Sequence, residues 1–289
     1  MESIKELSKD TVLNILISAK NMKSDNIGGT LLQDKIVGLL FFEPSTRTCL
    51  SFESAVHRLG GKVIKYNPDF SSEKKGETLE DTIRTIDCYV DIFIIRHPEK
   101  NIISKIKTYT SKPIINAGDG SGEHPTQALL DLFTIFESHA QVPKNICFTG
   151  DIKYSRTIHS LVYLLSSLDS STRFHFVSNL KLEGEFLDYL TKIDNPYYMY
   201  DDIQSVIKEI DVLYVTRLQK ERFVNESIEP ILVNSETIKE SKDTLIIMHP
   251  LPRNNELSTD LDNNSKSKYF EQVKNGVYVR MAILHMLIT

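Results

Sequence analysis

Six short segments concentrate side chains that bind anions or polarise carbonyl groups. Ser45-Thr46-Arg47-Thr48 puts three hydroxyls and a guanidinium into four residues. Hydroxyls donate hydrogen bonds, and arginine grips two oxygens of a phosphate or carboxylate at once. Arg96-His97-Pro98 follows an apolar run. His124-Pro125-Thr126-Gln127 follows a glycine-rich turn and places His124 and Gln127 three residues apart, on one face of a helix. A neutral imidazole at a helix start can donate to a carbonyl oxygen and polarise it. Further on come Arg156, the run Thr216-Arg217-Leu218-Gln219-Lys220-Glu221-Arg222, and His249-Pro250-Leu251-Pro252-Arg253. A polar loop, Asp69–Gly76, offers Ser71 and the paired Lys74 and Lys75. Taken singly, each has a plainer explanation as a helix cap, a surface arginine or a solvated loop. Together they put arginines after apolar runs in both halves of the chain, with a histidine between.

These groups need elements to position them. Short apolar runs predict strands at 35–42, 62–66, 91–96, 113–117, 145–150, 173–178, 212–216 and 244–248. Their hydrophobicity is continuous, as in parallel strands covered on both faces. Amphipathic stretches between them predict helices over 11–20, 46–59, 78–90, 124–139, 156–168, 183–190 and 277–287. Strand–helix alternation defines an α/β protein. Two sets of about four strands fit two domains, each a parallel sheet flanked by helices, better than one large sheet. The expected division is 1–131, 132–275 and a C-terminal helix, 276–289, packing back on the first domain. The Asn/Ser-rich stretch 254–268 reads as a long exposed loop. In open α/β sheets ligands bind beyond the carboxyl ends of the strands. Every arginine named above falls there, so the active site is expected in a cleft between the domains that gathers anions.

The 289 residues suit roughly two domains at about 150 residues each. Hydrophobic residues at 40% and charged residues at 25% describe a globular chain, not a disordered one. With 34 basic and 39 acidic residues the net charge is −5, which argues against a nucleic-acid partner. Cys49, Cys88 and Cys147 are widely spaced and lack a CxxC, so neither a disulfide framework nor a zinc knuckle is expected, and a reducing, cytoplasmic setting fits. No apolar run reaches the ~18 residues of a membrane span. Ser45–Thr48 is no P-loop, since GxxxxGK[ST] is absent. The lack of GxGxxG argues against a nicotinamide cofactor.

The segments Phe42-Glu43-Pro44-Ser45-Thr46-Arg47-Thr48, Lys74-Lys75-Gly76-Glu77-Thr78, Arg96-His97-Pro98, His124-Pro125-Thr126-Gln127, Thr216–Arg222 and His249–Arg253 together resemble the aspartate carbamoyltransferase family, catalytic chains, in order and approximate spacing from about residue 30 onward. That resemblance implies carbamoyl transfer from carbamoyl phosphate to L-aspartate, an early step of pyrimidine synthesis, without metal or other cofactor. It implies that Ser45, Thr46, Arg47 and Thr48 hold the phosphate. Thr48, Arg96 and His124 would polarise the carbonyl oxygen, and Gln127 would position the amide. Arg156, Arg217 and Gln219, with the backbone around Leu251, would bind the carboxylates of aspartate. Ser71 and Lys75 would reach into a neighbouring subunit's site in a homotrimer with shared active sites, with a regulatory chain or another pathway enzyme as a further possible partner. Glu43 would pair with Arg156 and Arg222 when the domains close.

The alternatives are ornithine carbamoyltransferase, which shares S-T-R-T and HPTQ, and a non-catalytic relative that only binds anions. Arg217 with Gln219 and the His-Pro-Leu-Pro turn suit a dicarboxylate better than a cationic side chain. Cys49 departs from the family's frequent arginine. A helix-start cysteine can be reactive, and the plainer reading is a tolerated substitution.

Overall fold

The computed structural model describes residues 1–24, 29–219 and 229–288. The chain forms two compact units, one of residues 1–129 with 275–289 and one of residues 130–274.

In the first unit, strands β1 (Ile36–Phe41), β2 (Lys62–Tyr66), β3 (Ile92–His97) and β4 (Ile114–Asp119) form an all-parallel sheet of order β2-β1-β3-β4. Helices α1 (Lys9–Ser24), α2 (Thr46–Arg58), α3 (Leu79–Asp87), the short α4 (Ile102–Ile106) and the start of α5 (Pro125–His139) accompany it. The inner strands are buried along their length, Val37, Leu39, Leu40 and Phe93–Ile95 among them, which explains their unbroken apolar pattern. The second unit holds β5 (Asn145–Thr149), β6 (Arg173–Val177), β7 (Tyr197–Tyr200), β8 (Val212–Val215) and β9 (Ile246–Met248), also all parallel, in the order β7-β6-β5-β8-β9. With it go α6 (Arg156–Leu168), α7 (Gly184–Leu190) and the start of α8 (Tyr269–Met286). The α/β class and the paired parallel sheets are those expected from the sequence.

Four details differ. The edge strand β7 and the five-residue α4 were not expected. The C-terminal helix begins at Tyr269, eight residues before the first one predicted. The stretch 254–268 is no exposed loop: Glu256, Leu257 and Leu261 are buried, and Leu257 and Ser267 form β-bridges with Val233 and Ile247. A polar run with a buried residue every few positions gives no periodic signal, yet those few side chains anchor it.

Each sheet has one point where the chain reverses its direction of winding: between β1 and β3 in the first, and between β5 and β8 in the second. At such points the two following loops part and leave room for a ligand. The second is pinned tightly. Gly150 takes φ +99°, and a Cβ there would lie 1.9 Å from the Thr216 carbonyl oxygen. Gly150 O accepts the Ser178 hydroxyl at 2.6 Å. Gly150→Ala combines backbone strain with a backbone clash, and is expected to cost about 3 kcal/mol in urea or thermal unfolding. An unchanged midpoint would mean the turn yields easily.

Candidate active site

Three helices start at the carboxyl ends of inner strands or beside them: α2 after β1, α5 after β4, and α6 after β5. None of the three has an acidic residue in its first turn. By contrast α1, α3, α7 and α8 carry Asp10, Glu80 with Asp81, Glu185 and Glu271 there. A helix N-terminus bears partial positive charge from unpaired amides, which acids stabilise by about 0.3–1 kcal/mol. Here that charge is left for something else, and α2 and α6 add arginines to it.

At the start of α2, Ser45 holds the cap position, but its side chain makes no capping hydrogen bond. The cap explanation therefore fails, and the hydroxyl remains available beside the helix amides. Thr46 and Arg47 are exposed, and Thr48 is buried one turn in. The next strand end lies alongside, since Phe42 N donates to Arg96 O at 2.8 Å. A register shift between Ile95 and His97 opposite β4 re-aims Arg96. Its Nη1 reaches Ala117 O at 3.4 Å, and Nη2 lies 2.7 Å from Glu43 Oε1. Both side chains are largely buried, at 13% and 24% exposure. Glu43 thus holds Arg96 within its own unit, a pairing not expected; of its two expected partners, Arg156 belongs to the second unit and Arg222 falls outside the described residues with Lys220 and Glu221.

His124 is buried immediately before α5, its carbonyl accepting from Gln127 N and Ala128 N at 3.0 and 3.2 Å. Gln127 is buried one turn in. The turn before them is built by Asp119, which the sequence reading did not single out. Its carboxylate accepts from Glu123 N at 2.7 Å and Asn101 N at 2.9 Å. Glu123 in turn accepts from Ile4 N at 2.6 Å and the Ser3 hydroxyl at 2.9 Å, and burial raises its pKa above the usual carboxylate range. Ser71 and Lys75 stand on the 67–76 loop. The Ser71 hydroxyl donates to Pro68 O at 2.9 Å, and Lys75 is exposed.

In the second unit Arg156 is the first residue of α6, behind the cap Ser155, which accepts from Ile158 N. Arg217 and Gln219 follow β8, the neighbour of β5. Asp151, fully buried and also missed, joins the two loops. Its Oδ2 accepts from Gln219 Nε2 at 3.1 Å and Gln219 N at 3.3 Å, and its Oδ1 from Tyr154 N at 2.8 Å. Asp151 N donates to Thr216 Oγ1 at 3.1 Å. A Gly-Asp directly after a strand was the available signal.

The turn after β9 is set by its backbone chemistry. Leu251 N donates to His249 Nδ1 at 2.8 Å, and Pro250 and Pro252 have no N–H. The turn therefore offers carbonyl oxygens, which accept from an amine or amide and repel a carboxylate.

Residues 1–137 match the carbamoyl-phosphate-binding domain of aspartate/ornithine carbamoyltransferases, and residues 143–287 match the Asp/Orn-binding domain. The chain belongs to the aspartate/ornithine carbamoyltransferase family. Within it the chain is 45% identical to the aspartate carbamoyltransferase catalytic subunit of Thermoplasma volcanium, covering 99% of this chain and 97% of that one. Among solved structures, aspartate transcarbamoylase from Trypanosoma cruzi in complex with carbamoyl phosphate and aspartate superposes with a TM-score of 0.93 at 38% identity, over 98% of this chain and 94% of that one. The catalytic subunit of M. jannaschii aspartate transcarbamoylase gives 0.91 at 42% identity, over 100% and 98%.

Cys49 sits in the first turn of α2, where a thiol is often activated. Partial burial instead raises its pKa above the ordinary value near 9, a raising only partly offset by Lys65 and reinforced by Glu53. The thiolate forms only as the pH climbs past that value. Iodoacetamide near neutral pH is expected to label Cys49 slowly, with labelling accelerating in alkaline buffer. Fast labelling at neutral pH would reveal an activated thiolate.

Proposed function

We propose that this chain transfers the carbamoyl group of carbamoyl phosphate to the amine of L-aspartate, giving N-carbamoyl-L-aspartate and phosphate, the step that feeds pyrimidine synthesis. The observation that carries the reading is the set of three acid-free helix starts, two of them bearing arginine, that follow β1, β4 and β5. The T. cruzi relative binds the same two substrates.

Ser45, Thr46, Arg47 and Thr48 hold the phosphate against the amides of α2. Thr48, Arg96 and His124 meet the carbonyl oxygen, and Gln127 meets the carbamoyl amide. Arg156 and Arg217 take the two carboxylates of aspartate, with Gln219 held in place by Asp151. The carbonyls at Pro250–Pro252 accept N–H groups of the substrates.

Carbamoyl phosphate is already activated, so the protein's task is placement and charge stabilisation. The neutral amine attacks the planar carbonyl carbon, a C–N bond forms, and negative charge gathers on oxygen. Arg96, Thr48 and His124 stabilise it, each such donor contributing about 10²–10³ in rate. The C–O bond to phosphate then breaks, and the departing phosphate accepts the amine proton. Arg96 reaches this state by exchanging its Glu43 partner for the developing oxyanion.

Carbamoyl phosphate and aspartate should yield carbamoyl aspartate and phosphate in a direct assay. Carbamoylation of ornithine instead would overturn the reading, and absence of both products would point to an anion-binding relative. Arg217→Ala is expected to abolish aspartate use while leaving carbamoyl phosphate binding intact. Asp151→Ala should raise the KM for aspartate through Gln219, by about 10²-fold if Gln219 shifts by an ångström.

The 67–76 loop carries Lys75 away from its own unit's core and also exposes Phe70, at 89%. We assign Ser71 and Lys75 to the site of a neighbouring copy, in a homotrimer. Arg47→Ala and Lys75→Ala subunits, each inactive alone, are then expected to regain activity when unfolded together and refolded as a mixture. A mixture as inactive as its components would show that each subunit completes its own site.

A further inference from the structure

Between β9 and α8 lies a buried polar chain that the reaction itself does not use. His249 and Glu256 are almost wholly enclosed, at 1% and 2% exposure. His249 N donates to Gln272 Oε1 at 3.0 Å, Gln272 Nε2 donates to Asp131 Oδ1 at 2.6 Å, and Asp131 Oδ2 accepts the Tyr214 hydroxyl at 2.7 Å. Asp131 sits on α5, the helix that begins beside His124 and Gln127. Buried polar groups of this kind are costly unless satisfied, and here each bond restricts the next.

The imidazole's two nitrogens have fixed roles. Leu251 N is a backbone donor, so Nδ1, 2.8 Å away, must hold a lone pair. The proton then lies on Nε2, which donates to Glu256 Oε1 at 3.0 Å. Glu256 is ionised. Burial pushes its pKa up, but hydrogen bonds from His249, from Asn254 N and from its own N–H outweigh that and leave it below the usual value. The same Oε1 accepts Asn254 N at 2.8 Å, so the pair clamps the turn at 251 and again at 254. Between the two clamps Leu251 takes φ +54°, a left-handed conformation that a non-glycine residue keeps only when its surroundings enforce it.

We propose that His249 and Glu256 are positioning residues: Glu256 locks His249 in the Nε2–H tautomer, His249 Nδ1 consumes the single N–H of the 250–252 turn, and the turn is thereby held with only carbonyl oxygens toward the substrates. With Nδ1 protonated instead, Leu251 N would lose its acceptor and the turn would present a donor where an amine or amide must bind. This rests on the carbamoyl-transfer reading, because only there does the turn have an N–H-bearing substrate to meet.

Asparagine and glutamine separate the two functions of the ring. Asn places an acceptor at the position of Nδ1 and forms the same bond to the N–H two residues on. Gln places its amide near Nε2 and can satisfy Glu256 while leaving Leu251 N unmet. His249→Asn is expected to keep kcat and both KM values close to wild type. His249→Gln is expected to lose about 10²-fold in kcat/KM, as for an ångström-scale misplacement. The KM that rises, for aspartate or for carbamoyl phosphate, identifies which N–H donor the carbonyls serve. A buried histidine with a purely structural role would show equal losses in both variants, tracking their melting temperatures. In the wild-type protein, two-bond ¹H–¹⁵N correlation should show His249 protonated at Nε2 alone. A proton on Nδ1, or equal losses in both folded variants, overturns the proposal. A wild type without carbamoyltransferase activity overturns the functional reading instead, and the tautomer measurement still decides the lock.

Discussion

The candidate site is organised by positive charge at the starts of α2, α5 and α6, whose first turns carry no acid. Leaving acids out of these first turns and adding arginine to two of them costs about 1 kcal/mol per helix by ordinary dipole energetics. That is small against a core of fully buried strands, so the fold can carry it without ligand. It also means that an arriving phosphate or carboxylate meets donors already in place and need not reorganise them. Low cost in the free state and high return on binding are two sides of one electrostatic arrangement.

Such an arrangement works only if the donors cannot turn toward one another or toward stray acceptors. The structure prevents this with buried acids that belong to no ligand. Asp119 builds the turn ahead of His124, Asp151 holds Gln219 and the approach to Arg156, and Glu256 holds His249. Each accepts backbone amides as well as a side chain or second amide, so removing one leaves several groups unmet at once. Glu43 differs, because its partner is the Arg96 guanidinium and not a backbone amide.

The sequence made the strands and the anion-binding segments legible because both depend on local pattern. Continuous apolar runs gave eight strands within a few residues of their observed ends. Tyr197–Tyr200 escaped because it is a four-residue edge strand with partly exposed side chains and no β-branched residue. Residues 254–268 were misjudged because Glu256, Leu257 and Leu261 are buried at irregular intervals within a polar run. Asp119, Asp151 and Glu256 were invisible for a different reason. Apart from the glycine before Asp151, nothing local separates them from the other acidic residues, and their partners lie 2 to 68 positions away. Ser45–Thr48 shows how composition and geometry complement each other: residue types suggested either a cap or an anion site, and the missing cap bond favoured the second.

The acidic net charge argues against a nucleic-acid partner but not against small anions, because charge acts over short distances. Charges beyond about 10 Å are largely screened at physiological salt, so the average says little about a strand end. The same local accounting addresses the choice between aspartate and ornithine. A cationic side chain would need an unspent carboxylate near Arg156 and Arg217. Asp151 is the buried acid of those loops, and it is already engaged by Gln219 and Tyr154 N while lying beside two guanidinium-bearing loops. What remains to face a second substrate is arginine, glutamine and, on the turn after β9, carbonyl oxygen. Those groups match two carboxylates and one amine. Among the described residues of these loops no further acid supplies a counter-charge for a second ammonium, and burying one without a partner would cost several kcal/mol.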